Sequence, residues 1–319
     1  MFKDRFFLLD AGASRPTRVP LPPSMSVKAG AADTEGRFSL IENRGDGHIP
    51  AHVHDTFDEL VYVLDGDLGI EFDGAGHHLT AGMFALVPRG VTHAMRNLGP
   101  DGSAVHALQL SAPGGWERYV EDVCEAGDAD ALMLPDGRRD WQKINELGKP
   151  YGMRYHLGQD DPAEWGDKSR FYVLRQGQVR LGRIAVPPAF GIKARSEDTD
   201  SLISLLEVTV AQPVPRHTHH VADECIYVVD GVLEIDFDGV THRAGKGQFV
   251  LLPHGVPHAI RPGSTPPPKV IQVSSPGGWE CVVEALIEHR AEVSQGGRFN
   301  PAALNRYTRR YHVVYEENE

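Results

Sequence analysis

The chain carries one metal-ligand pattern twice, 165 residues apart. The first copy reads His52-Val53-His54-Asp55-Thr56-Phe57-Asp58-Glu59 and is completed by His93. The second reads His217-Thr218-His219-His220-Val221-Ala222-Asp223-Glu224 and is completed by His258. Each copy gathers three imidazoles and one carboxylate, a donor set suited to a first-row divalent metal: iron, manganese, nickel, copper or zinc. In a strand, residues i and i+2 share a face, so His52 projects with His54 and His217 with His219. Glu59 and Glu224 start the next apolar strand, and a tight turn brings each carboxylate beside its two imidazoles. His93 and His258 follow the turn sequences Pro88-Arg89-Gly90 and Pro253-His254-Gly255, which start a further strand. Three strands of a small barrel thus converge four ligands inside its mouth, with one or two positions open for water, substrate or dioxygen. Packing alone does not explain ligands retained while their neighbours Asp55/His220, Thr56/Val221 and Leu60/Cys225 have diverged.

The same offset runs through the whole chain. Arg5-Phe6-Phe7-Leu8-Leu9 falls on Arg170-Phe171-Tyr172-Val173-Leu174, Lys28-Ala29 on Lys193-Ala194, and Ser39-Leu40-Ile41-Glu42 on Ser204-Leu205-Leu206-Glu207. After a two-residue slip, Pro113-Gly114-Gly115-Trp116-Glu117 matches Pro276-Gly277-Gly278-Trp279-Glu280, and the ends match from Tyr151 to Tyr155 against Tyr311 to Tyr315. The chain is therefore a tandem duplication, with one domain expected over residues 1–158, a second over 166–319, and a linker near Gly158 to Gly166. The short apolar run Phe6 to Leu9 recurs in mid-chain, so it reads as a strand and not as a targeting signal. Runs such as Val61-Tyr62-Val63-Leu64 and Ile226-Tyr227-Val228-Val229 are strand-like. Asp65-Gly66, Asp73-Gly74, Asp230-Gly231 and Asp238-Gly239 are hairpin turn signals. Many short strands at this spacing predict an all-β fold of two sandwich or barrel domains, each followed by helix. Trp116, Tyr119, Val120 and Val123 make one apolar stripe, and Trp279, Val282, Val283 and Leu286 make another. Both stripes are expected to pack on the barrels rather than to form a substrate site. Asn300-Pro301 caps a last helix.

A net charge of −12 argues against nucleic acid and anionic membrane as the main partner. No apolar run approaches the length needed to span a bilayer. Three cysteines, Cys124, Cys225 and Cys281, with no C-x-x-C pair, point to a reducing compartment, hence the cytoplasm. Cys225 is expected to face away from Glu224. Phosphate-binding glycine loops and nucleophile elbows are missing from the sequence. His48, His77, His78, His106, His156, His242, His289 and His312 read as surface residues. His220 and His254 adjoin the second cluster and are candidates for an acid/base or supporting role. Arg89, Arg96 and Arg261 lie near the ligand strands and are candidates to pair with a substrate carboxylate, with surface charge as the alternative.

These residues closely resemble the cupin superfamily. Its first motif matches from His52 to Gly66 and from His217 to Gly231. Its second matches from Gly82 through Pro88, Gly90 and His93 to Asn97, and again from Gly247 through Pro253, Gly255 and His258, with Pro262 in place of the Asn. The opening Gly of the first motif is shifted near Gly47 and replaced near Pro213. The resemblance implies two tandem jelly-roll (double-stranded β-helix) barrels, each binding one divalent transition metal, iron(II) foremost. The segments from Ser111 to Glu117 and Ser274 to Glu280 resemble the quercetin 2,3-dioxygenase-like group of bicupins. In that group the metal binds an enolate or catecholate and dioxygen together, which casts Glu59 and Glu224 as general bases. The leading expectation is a metal-dependent dioxygenase acting with O2 on an enolisable or polyhydroxylated aromatic small molecule. The alternatives are a non-oxidative decarboxylase, isomerase or lyase acting on a small carboxylate, and a non-catalytic metal or small-molecule binding protein. Self-association of whole chains is left open.

Overall fold

A computed structural model describes residues 2–317 except 46–47, 101–102, 129–131, 138, 157, 159–162 and 297. Gly47 and the middle of the expected linker lie outside the described residues. The chain forms two units, one over Ala13–Gly177 and the other made of the segment ending at Gly12 together with the chain from Gln178 onward.

Each unit is a jelly-roll barrel of two antiparallel sheets, as expected. In the first unit a six-stranded sheet runs in the order Tyr172–Leu174, Phe84–Val87, Asp58–Asp65, Val105–Ala112, Ser39–Gly45, Met25–Ala29. Its five-stranded partner runs Met153–Tyr155, Ile49–His54, His93–Asn97, Leu68–Phe72, Ala75–Leu79. The second unit repeats both sheets. One has the order Phe7–Leu9, Phe249–Leu252, Asp223–Asp230, Lys269–Ser275, Ser204–Thr209, Phe190–Ala194. The other has the order Val240–Gly245, Val232–Phe237, His258–Pro262, Val214–His219, Val313–Tyr315.

Two of the four Asp-Gly signals are hairpin turns, whereas Asp65-Gly66 and Asp230-Gly231 end strands whose successors, Leu68–Phe72 and Val232–Phe237, lie in the other sheet, so they are crossovers between sheets and not hairpins. Asp73 and Gly74 both take positive φ, 49° and 74°, as do Asp238 and Gly239, 49° and 79°. These are the left-handed central residues of two-residue hairpins, which Asp-Gly tolerates at low cost. The pairs Phe72 with Ala75 and Phe237 with Val240 close the two hairpins. Val61, Val63, Ile70, Phe72 and Val87 fill the first barrel, and Ile226, Val228, Ile235, Phe237 and Leu252 fill the second. Burying each such side chain contributes about 1.5–3 kcal/mol.

The first strand of each repeat joins the other repeat's sheet: Phe7–Leu9 pairs with Phe249–Leu251, and Tyr172–Leu174 with Phe84–Leu86. The matching flanks explain why either strand fits. Phe6 stacks on Phe237 at 4.3 Å and Phe171 on Phe72 at 3.9 Å. Arg5 donates to Asp223 at 2.6 Å and Arg170 to Asp58 at 2.6 Å, and both carboxylates are buried. Near the expected linker, the Trp165 indole donates to Asp55 at 2.9 Å, and the Trp165 and Gly166 amides donate to the Gly90 carbonyl.

Helices close one side of each barrel: Trp116–Asp128 and Trp141–Gly148 in the first unit, Trp279–Glu288, Arg290–Val293 and Pro301–Thr308 in the second. Asp140 caps the helix at Trp141 by accepting from the Lys143 amide at 3.1 Å. Asn300 caps the last helix by accepting from Ala303 at 3.2 Å, with Pro301 at its first turn.

Candidate metal centres and the cavity over the first

The structure brings all eight sequence-predicted ligands together in two buried groups, His52, His54, Glu59 and His93, and His217, His219, Glu224 and His258. In each group the donor atoms lie within 4.8 Å of one another. Period-2 alternation puts both histidines of a pair inward. The third ligand arrives by register, because His52 is directly opposite His93 and His217 opposite His258. The turn before each third histidine is anchored on a ligand strand: Gly90 donates to the His54 carbonyl at 2.8 Å and Gly255 to the His219 carbonyl at 2.7 Å.

Hydrogen bonds on the outer ring nitrogens determine what faces inward. The Nδ1 atoms of His52, His54 and His93 donate to the carbonyls of Pro50 (2.8 Å), Phe57 (2.8 Å) and Val91 (3.1 Å). His217 and His258 donate likewise to Pro215 (2.9 Å) and Val256 (3.1 Å). A carbonyl only accepts, so each of these Nδ1 atoms carries the proton and each neutral ring points an Nε2 lone pair inward. His54 Nε2 is then 3.3 Å from His93 Nε2 and 3.2 Å from Glu59 Oε2. In the second cluster His217 Nε2 is 3.0 Å from His219 Nε2. In the first cluster acceptors face acceptors, an arrangement that a cation between them relieves. Donors about 2.1 Å from one ion lie about 3.0–3.4 Å apart at neighbouring octahedral or tetrahedral positions, so both sets fit a small divalent ion. Burial holds His52, His93, His217 and His219 below the ordinary imidazole range, keeping the neutral form that ligates. Burial pushes the Glu59 carboxyl up, and positive charge at the His54 and His93 face of the site holds it well below the usual carboxylate range, a role a bound cation would take over when those rings are neutral.

Two supporting residues escaped the sequence reading. Gln109 donates to Glu59 Oε1, and Gln272 donates to Glu224 Oε1 at 2.7 Å. Each glutamine fixes one carboxylate oxygen and turns the other toward the histidines. The signal was present, since Gln109 and Gln272 match in the repeat with the same two-residue slip as the Pro-Gly-Gly-Trp segments. Gln109→Leu leaves Glu59 Oε1 buried without its donor. Metal affinity at that cluster is expected to fall by about 10–100-fold, read by chelator competition, with the second cluster unaffected.

The helical stripes pack into the cores of their units as expected, and the first has a second role. Trp116, Tyr119, Val120 and Val123 do pack on the barrel, but they also line a cavity of 810 Å³ whose floor includes His52, His54, Glu59 and Gln109. Trp141 and Tyr155 add aromatic walls, and Asn43, His48 and Arg139 add polar ones. Tyr119 donates to the Tyr155 hydroxyl at 3.3 Å, and burial pushes both phenols up. In the second unit Trp279 stacks on His219 at 4.8 Å, and His219 borders a smaller cavity of 220 Å³.

The arginines proposed for a substrate carboxylate do not line the large cavity. Arg89 lies against Asp58 at 3.7 Å, Arg96 is exposed, and Arg261 donates to Glu234 at 2.7 Å. Arg139, which the sequence did not single out, is the arginine in that wall. His254 is turned to Asp223 at 2.8 Å, and His220 is exposed. Of the histidines read as surface residues, His48 is exposed but lines the cavity, and His78 and His312 are exposed. His77, His106, His156, His242 and His289 are half-buried, His106 against Glu42 at 2.6 Å. Cys225 is buried on the strand face opposite Glu224. Where Asn97 closes its turn on Ser103, Pro262 cannot, and Ser264 instead accepts from the Val232 amide at 2.9 Å.

Two jelly-roll barrels in one chain, each with a three-histidine, one-glutamate cluster at its mouth, define a bicupin architecture. The cupin-domain family model matches residues 41–108 and 205–273, spans that contain all eight cluster residues, and the chain belongs to the cupin superfamily. Among curated proteins it is similar to quercetin 2,3-dioxygenase of Bacillus subtilis (strain 168), 23% identical over 82% of this chain and 80% of that one. It is also similar to polyketide synthase CurC of Streptomyces cyaneus, 29% identical over 32% of this chain and 67% of that one. Among solved structures, a putative glyoxylate-induced protein from Pseudomonas aeruginosa matches with a TM-score of 0.52 at 14% identity, covering 86% of this chain and 90% of that one. Bacterial pirin YhhW from Escherichia coli, in complex with nickel(II), matches with a TM-score of 0.50 at 12% identity, covering 86% and 100%. These two likenesses concern the fold alone. No helix among the described residues is long and apolar enough to cross a membrane.

Proposed function

We propose that the chain is a metal-dependent dioxygenase that inserts O2 into an enolisable or polyhydroxylated aromatic small molecule, with the first unit as its catalytic centre. The observation that carries this reading is the 810 Å³ cavity, which joins aromatic walls and a few polar groups to one of the two clusters. Its volume lies within the roughly 300–1,000 Å³ typical of small-molecule sites. The similarity to a quercetin 2,3-dioxygenase supports the same class.

In this reading His52, His54, Glu59 and His93 hold a divalent ion, iron(II) foremost, with manganese, nickel, copper or zinc also suited to the donors. Such an ion supplies Lewis acidity toward an enol or catechol oxygen and a site for dioxygen. Trp116, Trp141 and Tyr155 bind the flat face of an aromatic substrate. Asn43 and the Tyr119–Tyr155 hydroxyl pair orient its hydroxyls. Glu59 accepts the proton of the reacting hydroxyl at Oε2 while Gln109 holds Oε1. The apolar walls of Val120, Val123 and Met153 limit water at the reacting carbon. His217, His219, Glu224 and His258 hold a second ion, with Glu224 in the corresponding position. Three free cysteines suit a reducing cytoplasm.

One observation favours a non-oxidative reading: the Arg139 guanidinium in the cavity wall suits a substrate carboxylate. Oxygen uptake separates the two. Flavonols and β-diketones incubated with the metal-loaded protein are expected to consume O2 in step with product. Turnover that proceeds unchanged without O2 would favour a decarboxylase, isomerase or lyase. No turnover of any such compound by metal-loaded protein would sink the enzymatic reading.

A further inference from the structure

The second unit holds a cavity of 430 Å³ between its barrel and its helices. The duplication places it where the first unit has its large cavity, yet its chemistry is inverted. Ser24, Asn43, Cys124 and Arg139 line the first cavity. Their repeat counterparts Ala189, Val208, Ile287 and Phe299 line the second. Four polar or polarisable positions have thus become hydrocarbon. A polyhydroxylated ligand would find only Thr209, Gln212, Ser294 and Arg290 as polar side chains here besides the ring N–H and O–H of Trp279 and Tyr315, and would leave most of its hydroxyls unpaired.

The cavity is also walled off from its metal cluster. Trp279 and Tyr315 both line it, and both stack on cluster histidines, Trp279 on His219 at 4.8 Å and Tyr315 on His217 at 5.0 Å. Among the lining residues Arg290 alone carries a charge. Its side chain is exposed and has no ion-pair partner among the described residues. A cavity of largely hydrocarbon walls, with Thr209, Gln212 and Ser294 its uncharged polar members and Arg290 its one cation, is complementary to a hydrocarbon with one terminal anion.

We propose that this cavity binds a single-chain amphiphile, a medium-chain carboxylate, with its tail among Phe190, Val208, Leu286 and Leu304 and its head group on Arg290. The site is independent of the reaction proposed for the first unit, and it touches the second cluster through Trp279.

The test is titration of the full-length, metal-loaded protein with decanoate, followed by calorimetry and tryptophan emission. Saturable binding of one decanoate per chain is expected, with an emission change that Trp279→Phe removes. Arg290→Gln is an exposed change that should leave the fold intact and weaken decanoate by about tenfold or more, without weakening 1-decanol. Leu286→Trp fills the cavity and is expected to abolish binding of both, its fold checked by circular dichroism and metal content. As a control, Val123→Trp obstructs the first cavity and should leave decanoate binding unchanged. Absence of saturable binding overturns the proposal. So does binding that survives Leu286→Trp but is lost in Val123→Trp, which would put the ligand in the first unit. Equal decanoate affinity with and without Arg290 overturns the head-group assignment.

Discussion

Replacing His52 and His54 with alanine is expected to remove one metal ion per chain and to lower turnover by about 10³-fold or more, while His217→Ala with His219→Ala removes the other ion and keeps turnover within about tenfold. The magnitude follows from the job assigned to the ion. Lewis-acid stabilisation of a developing oxyanion is worth several kcal/mol, and each ~1.4 kcal/mol is a factor of ten in rate. The asymmetry follows from the cavities. His52, His54 and Glu59 open onto 810 Å³ of space, whereas the Trp279 ring stacks on His219 and leaves 220 Å³ beside it. Metal content by elemental mass spectrometry and oxygen uptake, measured on the same preparations, check both halves. An equal loss of turnover in the two double variants would show that the second cluster is catalytic as well. Full metal content in both would show that these histidines are not ligands.

Lys28→Ala is expected to destabilise the first unit by about 2–4 kcal/mol, because buried Glu42 loses its one fully buried ion partner and keeps only partly exposed ones. Lys28 is fully buried, and its ammonium lies 2.8 Å from Glu42 and donates to the Ala13 carbonyl at 2.8 Å. Alanine also leaves a cavity where the lysine stem was. Glu42, itself 2% exposed, would retain His106 at 2.6 Å and Arg44 at 3.3 Å. Removing both charges with Lys28→Met and Glu42→Leu should recover most of the loss, because an apolar pair of similar volume needs no desolvation. Urea unfolding of the full chain measures both variants. A Lys28→Ala loss below about 1 kcal/mol would mean that water reaches the pair, as at a surface ion pair.

That lysine marks a limit of what the repeat makes legible. The match of Lys28-Ala29 with Lys193-Ala194 is plain in the sequence, yet a lysine read alone belongs on the surface. Burial of both Lys28 and Lys193 depends on carboxylates brought from neighbouring strands, Glu42 and Glu207. The ligands were legible for the opposite reason. His52, His54 and Glu59 lie within one strand, one turn and the start of the next strand, so their geometry follows from period-2 alternation and a short turn. His93 needed only a barrel to bring it into register.

What the sequence by itself determined is therefore local and periodic: the duplication, the hairpin turns at Asp73-Gly74 and Asp238-Gly239, the Asn300-Pro301 cap of the last helix, and two donor sets spaced to meet. Tertiary structure alone decided the rest. It put the first strand of each repeat into the other repeat's sheet, a choice between two nearly identical edges that carry the same aromatic and ionic anchors. It turned the stripe of Trp116, Tyr119 and Val120 into the wall of a cavity, because a helix face can pack on a barrel rim and still leave space beyond it. It brought Arg139 to that cavity, and Gln109 to Glu59, from elements far apart in the chain, and no local spacing links either to the His52-x-His54 pair.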